Sequence, residues 1–123
     1  NSQKVSLMIG MRGQSDFQRV KRSGKSWAHR LAILRVITNS LPYSRIGFVA
    51  SRHVGNAVNR NRAKRLLREA FRCHGTSILP GWDLLLIARP SIENCKVDDV
   101  ISSVTYLLSQ AELLKKAGIN NAR

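Results

Sequence analysis

Acidic residues are scarce in this chain. Asp and Glu number seven against 21 Lys and Arg, which leaves a formal net charge of +14 and a sequence pI near 11.3. A chain this short of acids cannot neutralise itself, and the imbalance points to a polyanion, either a nucleic acid or an anionic membrane surface. The few carboxylates are dispersed. Asp98 and Asp99 are adjacent, but they suit the first turn of a helix better than a carboxylate pair for a metal. Cysteine is rare too. Cys73 and Cys95 stand alone, outside any C-x-x-C, and read as structural thiols in a reduced compartment. His29, His53 and His74 are scattered, with none four residues from another, so no metal site is expected. Long apolar runs are missing. The longest, residues 84–88, is strand-sized and far short of the ~20 residues of a membrane helix. The patch at residues 5–9 is broken by Ser6 and too short for a signal peptide. No membrane attachment and a cytoplasmic location are therefore expected. There is no P-loop, no G-x-G-x-x-G and no Ser or Cys beside a base motif, so no catalytic residues are expected in the protein itself.

What the chain does have is a two-faced helix. Within residues 55–72, take Arg60 as zero and wind at ~100° per residue. Arg60, Asn61, Lys64, Arg65, Arg68 and Arg72 then share an arc of roughly 0–140°, while Ala63, Leu66, Leu67, Ala70 and Phe71 share one of roughly 240–380°. Arg62 lies on the border. Gly55-Asn56 supplies a start signal, with Asn56 at or near the N-cap. Like charges at Arg60, Lys64 and Arg68 repel along one ridge by a few tenths of a kcal/mol per pair. Glu69 is the sole acid in the segment. The ridge is mainly arginine, whose planar fork suits phosphate, so phosphate-backbone binding is favoured over a merely solvated face. A second basic cluster runs from Arg12 through Arg19, Lys21, Arg22 and Lys25 to Arg30. Two clusters can hold two RNA segments or one long one.

With 123 residues, 43% of them hydrophobic, the chain is sized for one compact domain with a core. Residues 1–14 read as a flexible, irregular N-terminal segment, 15–118 as the domain and 119–123 as a tail. Ser15-Asp16-Phe17-Gln18 matches a capping box, which predicts a helix over 16–22 ended by Ser23-Gly24. Residues 31–37 and 45–51 read as strands, antiparallel neighbours because the connection is short. Arg35 on the first implies that the face carrying Leu31, Ile33 and Arg35 is partly open. The unbroken run 82–88 reads as a central strand buried on both sides. Residues 27–30 add further strand pairing. From Val97 the apolar spacing is helical, with Asp98 and Asp99 in the first turn, Lys115 and Lys116 in the last, and Gly118 as C-cap. The sum is a single small α+β domain, a sheet of about four strands covered by helices.

The stretch Gly55-Asn56-Ala57-Val58, followed by Arg60-Asn61-Arg62-Ala63-Lys64-Arg65-Leu66-Leu67-Arg68-Glu69, resembles the signature of the bacterial ribonuclease P protein component. The likeness extends to Ser15-Asp16-Phe17, to Arg45-Ile46-Gly47-Phe48 and to Ile87-Ala88-Arg89, and spans about residues 16–118. It implies a left-handed β-α-β crossover around the signature helix, similar to the second domain of ribosomal protein S5. It implies the protein subunit of an endoribonuclease. A large catalytic RNA with bound Mg²⁺ would cleave precursor tRNA at its 5′ end, while the protein holds the single-stranded leader. Contacts to that RNA carry over to Arg60, Asn61, Arg62, Lys64, Arg65 and Arg68, with Arg52 beside them. Leader contacts carry over to Phe17, Lys21, Ile33 and Arg35. Lys21 and Arg35 stand where relatives carry rings, which implies a more electrostatic grip with guanidinium–base stacking from Arg35. His53 stands where a lysine is common. Two other readings remain. One is a structural RNA-binding protein on a similar fold, separated by leader dependence. The other is a DNA-binding module, weakened because a strand precedes the central helix where a supporting helix is usual.

Overall fold

The computed structural model describes residues 8–10 and 13–115. A mixed sheet of five strands in the order β1-β4-β5-β3-β2 forms the middle layer. Four of these are β2 (Lys25–Ala28), β3 (Ala32–Thr38), β4 (Ser44–Val49) and β5 (Trp82–Ala88), and the fifth is a three-residue edge strand, β1 (Met8–Gly10). The helices are α1 (Gln14–Ser23), α2 (Ala57–Arg72) and α3 (Val97–Gln110).

The apolar run becomes the middle strand. Leu84, Leu85 and Leu86 are all fully buried, because helices cover both faces of β5. Leu84 and Leu86 join the main core beneath α2 and α3, while Leu85 packs with Val20 of α1 in a second, small core. The alternation along β3 follows from this. Ala32, Leu34 and Val36 are buried in the main core, whereas Ile33, Arg35 and Ile37 are half-exposed on the α1 side. Leu31 departs from the expected open face. It precedes the strand and is fully buried.

The expected pairing of the two strands before α2 needs correction. They do run antiparallel, but β5 lies between them, parallel to β4 and antiparallel to β3. A strand apolar on both faces is worth most with a strand on each edge. The connection at 39–43 therefore spans two strand spacings, about 10 Å, within reach of five residues. Ser40 turns it with φ of 62°, and the Asn39 side chain accepts from the Leu41 amide at 2.8 Å. β4, α2 and β5 form a β-α-β crossover between neighbouring parallel strands.

Three ends differ from expectation. The chain is not irregular throughout 1–14, because β1 pairs in parallel with β4, whose outer edge offers open backbone groups. The capping box does not form. α1 begins at Gln14, so Ser15 already lies inside the first turn, and the Gly13 carbonyl accepts from the Asp16 and Phe17 amides. The last helix stops at Gln110, before Lys115. The Leu113 amide donates to the Leu108 carbonyl and the Glu112 amide to Ser109, a Schellman closure with Glu112 at φ of 58°. The reversal buries Leu113 and bridges Leu114 to Ile78, and that tertiary packing outweighs the helical period. Lys116 and Gly118, like residues 119–123, lie outside the described residues.

The start of α2 is as expected. Asn56 caps it, its side chain accepting from the Asn59 amide at 2.9 Å. Gly55 has φ of 140°, and a Cβ there would come within 2.7 Å of the Asn59 side chain, so the position is closed to larger residues.

Candidate nucleic-acid interface

The two faces of α2 separate as the spacing requires. Ala63, Leu67, Ala70 and Phe71 are buried and Leu66 is half-buried, while Asn61, Arg65, Arg68 and Arg72 are exposed. Arg60 and Lys64 are half-buried. Among the described residues the only ion pair on this helix joins Arg72 to Glu69 at 3.5 Å, both well exposed. Such a pair is worth little, so the ridge keeps its positive field. Arg52 is exposed in the short 3₁₀ turn Arg52–Val54 that leads towards the helix.

Not every arginine on this helix is available to a ligand. Arg60 donates to the Gly55 carbonyl at 3.0 Å. Arg62, on the border of the two faces, reaches across to the turn Pro90–Asn94 and donates to the carbonyls of Glu93 at 2.7 Å and Cys95 at 2.9 Å. Arg68 lies over the Phe48 ring, its guanidinium carbon 5.3 Å from the centroid. Phe48 in turn meets Phe71 edge-on, with centroids 6.1 Å apart.

On the opposite side of the sheet, α1 rests on Leu85 through Val20, with Phe17, Ile37, Val49 and Ile87 packed around them. Phe17 is half-buried and Lys21 is exposed in the last turn of α1. Ile33 and Arg35 share the α1 side of β3 by register. The Arg35 guanidinium does not stand free there. It donates to the carbonyls of Lys21 at 2.6 Å, Gly24 at 3.3 Å and Val20 at 3.4 Å. These acceptors lie at the helix C-terminus, where a cation suits the dipole, and the Val20 carbonyl also accepts from the Gly24 amide at 3.0 Å.

A polar cluster fixes α1 on the sheet. Asp83 of β5 is fully buried. Its carboxylate accepts from Arg45 at 2.8 and 2.7 Å, from Asn39 at 2.9 Å, and from Arg19 of α1. Arg45 also donates to Asp16 of α1 at 3.2 and 3.3 Å. Burial pushes the Asp83 carboxyl up, but hydrogen bonds from Arg45 and Asn39 and the charges of Arg45 and Arg19 outweigh it and hold the group below the ordinary carboxylate range. The hydrogen bond to Asp83 is the main reason Arg45 is raised. Arg19 and Arg45 are thus neutralised within the fold. The sequence signal for this cluster was a lone acid in the most apolar strand, which burial requires to be paired.

A cavity of about 540 Å³ lies between α1, β4 and α2, and Gly10 of β1, Phe17, Ile46, Phe48, Lys64, Arg68, Phe71 and Arg72 are among the residues that line it. Phe48 was not among the residues expected at a site, and Arg72 was expected only as part of the basic arc. Among the described residues no three of His, Cys, Asp and Glu gather as metal ligands, and no helix is long and apolar enough to cross a membrane.

Known proteins share this fold. A sequence profile of the family described as Ribonuclease P matches residues 9–112. The chain is similar to the ribonuclease P protein component of Dehalococcoides mccartyi, 41% identical over 104 residues and covering 85% of each chain. It is similar to that of Clostridioides difficile, 35% identical over 105 residues, covering 85% of this chain and 92% of the other. Among solved structures, the RNase P protein of Staphylococcus aureus superposes with a TM-score of 0.78 at 30% identity, covering 87% of this chain and 98% of that one. The RNase P protein of Thermotoga maritima gives 0.73 at 31% identity, covering 81% and 94%.

Proposed function

The chain belongs to the ribonuclease P protein family, and from that premise we propose that it is the protein subunit of a cytoplasmic ribonucleoprotein endonuclease that matures the 5′ end of tRNA. The observation that carries this reading is α2, apolar on the side that packs and cationic along the side that does not. Its exposed ridge docks on the large catalytic RNA. Asn61, Lys64, Arg65 and Arg68 make phosphate contacts, Arg60 extends them towards the helix start, and Arg52 lies beside it. Arg62 supports the contact by bracing α2 on the turn after β5.

The leader of precursor tRNA lies along the α1 side. Phe17 presents a ring on which any base can stack. Lys21 meets the backbone, Ile33 gives the apolar floor, and Arg35 holds the end of α1 that forms one wall. The chain neutralises and positions, while Mg²⁺ and the hydrolysis of the phosphodiester belong to the RNA partner.

Reconstitution tests this. The protein is mixed with a bacterial ribonuclease P RNA and precursor tRNA at low Mg²⁺, where the RNA alone is nearly inactive. Stimulated 5′ cleavage is expected, with tighter binding of precursor than of mature tRNA. No stimulation from folded protein with a cognate RNA shifts the reading to a structural RNA-binding role.

A further inference from the structure

We propose that a second cavity, at the C-terminal end of α3, binds a ligand that joins a guanidinium to a carboxylate through a short apolar stem. Arginine fits that description, as the free amino acid or as the last residue of a polypeptide. The chain has two tryptophans, and both line this cavity of about 530 Å³. Its volume falls within the range of small organic ligand sites. Register places Trp27 of β2 and Trp82 of β5 on the same face of the sheet as Val36 of the strand between them. Both indoles pack against the main core yet stay only half-buried, so ring surface remains open to a ligand.

The lips of the cavity carry opposite charges, Lys25 on the β2 side and Glu112 just past the end of α3. Both side chains are exposed, and among the described residues neither belongs to an ion pair. Glu112 holds a backbone conformation that suits glycine, with φ of 58°. A strained residue whose carboxylate has no counter-ion in the fold points to a ligand. The negative end of the α3 dipole adds to that carboxylate, and no Lys or Arg occurs from Val97 to Leu114. A cation is therefore favoured at the α3 lip and an anion at Lys25. A simple ion uses one lip, and a hydrocarbon uses neither. Arginine uses both, and its guanidinium stacks flat on an indole. None of the residues given RNA or leader contacts above lines this cavity, so the site stands apart from the ribonuclease reading.

The test uses the full chain without RNA. Because both tryptophans line the cavity, intrinsic tryptophan emission reports on it alone. Arginine is titrated beside agmatine, which lacks the carboxylate, and citrulline, which lacks the cation, at matched ionic strength. Arginine is expected to shift the emission and to bind roughly 2- to 5-fold tighter than either, the worth of one exposed ion pair. Lys25→Gln should erase the preference over agmatine, and Glu112→Gln the preference over citrulline, each leaving the other preference intact. Glu112→Gly removes the same carboxylate and relieves the backbone. Lost discrimination in that variant, with melting no earlier than the parent, is then a loss of contact and not of fold. Glycylglycylarginine that binds at least as tightly as arginine identifies a polypeptide end as the source. If it binds far more weakly, the free amino acid is the source. An emission unmoved by arginine overturns the proposal, as do equal affinities for the three ligands or preferences that survive the variants.

Discussion

Neighbouring arginines on one helix have different work. Arg65 is exposed on the ridge, while Arg62 is committed to two backbone carbonyls in the turn after β5. Arg65→Ala should weaken binding of the catalytic RNA while leaving stability within about 0.5 kcal/mol of the parent. Arg62→Ala should lower stability by about 1–3 kcal/mol, because two charge-assisted bonds are lost. Urea unfolding and RNA titration of both variants check this, and a reversed pattern would undo the assignment. Spacing alone put Arg62 on the border of the two faces, but its partners were hidden. A guanidinium's acceptors are carbonyls from a distant turn, and a carbonyl has no sequence signature. The same holds for Arg35, whose partners are the last carbonyls of α1. The faces of α2 were legible because a helix carries its own 3.6-residue ruler.

At the level of elements, local pattern identified most of what forms and much less of where it stops or what lies beside it. β5 occupies residues 82–88 because an apolar run between turn signals leaves little choice. Its insertion between β3 and β4 was not legible, since strand order is a long-range decision and short loops argue for adjacency. The end of α3 followed the same logic. The apolar period continues through Leu114, yet burial of Leu113 and the bridge from Leu114 to Ile78 turn the chain at Glu112. Glu112 occupies a left-handed conformation that suits glycine. Glu112→Gly should therefore stabilise the domain by about 1 kcal/mol in urea unfolding. A loss of stability would mean that the Schellman closure is not the native end of the helix.

Acid should act on the whole molecule through two groups that are both shifted downward from their ordinary range. His74 is held below the ordinary imidazole range by burial, its ring bonded to Thr105 at 2.7 Å. The unfolded chain then takes up that proton first, so this contribution is complete above about pH 6.5 and is lost as pH falls through the folded value. Asp83 is also depressed, so its contribution is complete above about pH 4 and lost below, as pH falls through its own folded value. Unfolding free energy measured from pH 8 to pH 3 should fall in two stages, and His74→Gln should flatten the upper one. A slope unchanged in that variant would place the upper stage elsewhere.

The domain is built around two cores of unequal size. The larger unites the sheet with α2 and α3, while α1 rests on Val20, Leu85 and a few half-buried neighbours, secured by the Asp83 cluster and by Arg35. Local opening free energy scales with buried apolar contact, so the two layers should not come apart together. α1 should detach as its own cooperative unit while β5 and α3 stay closed. In native-state hydrogen exchange, the amides of α1 should exchange well before those of β5, by a sub-global opening that Asp83→Asn makes easier. The wall on the proposed leader side would then be a hinged one, breathing on the time scale of that opening while the α2 ridge stays fixed.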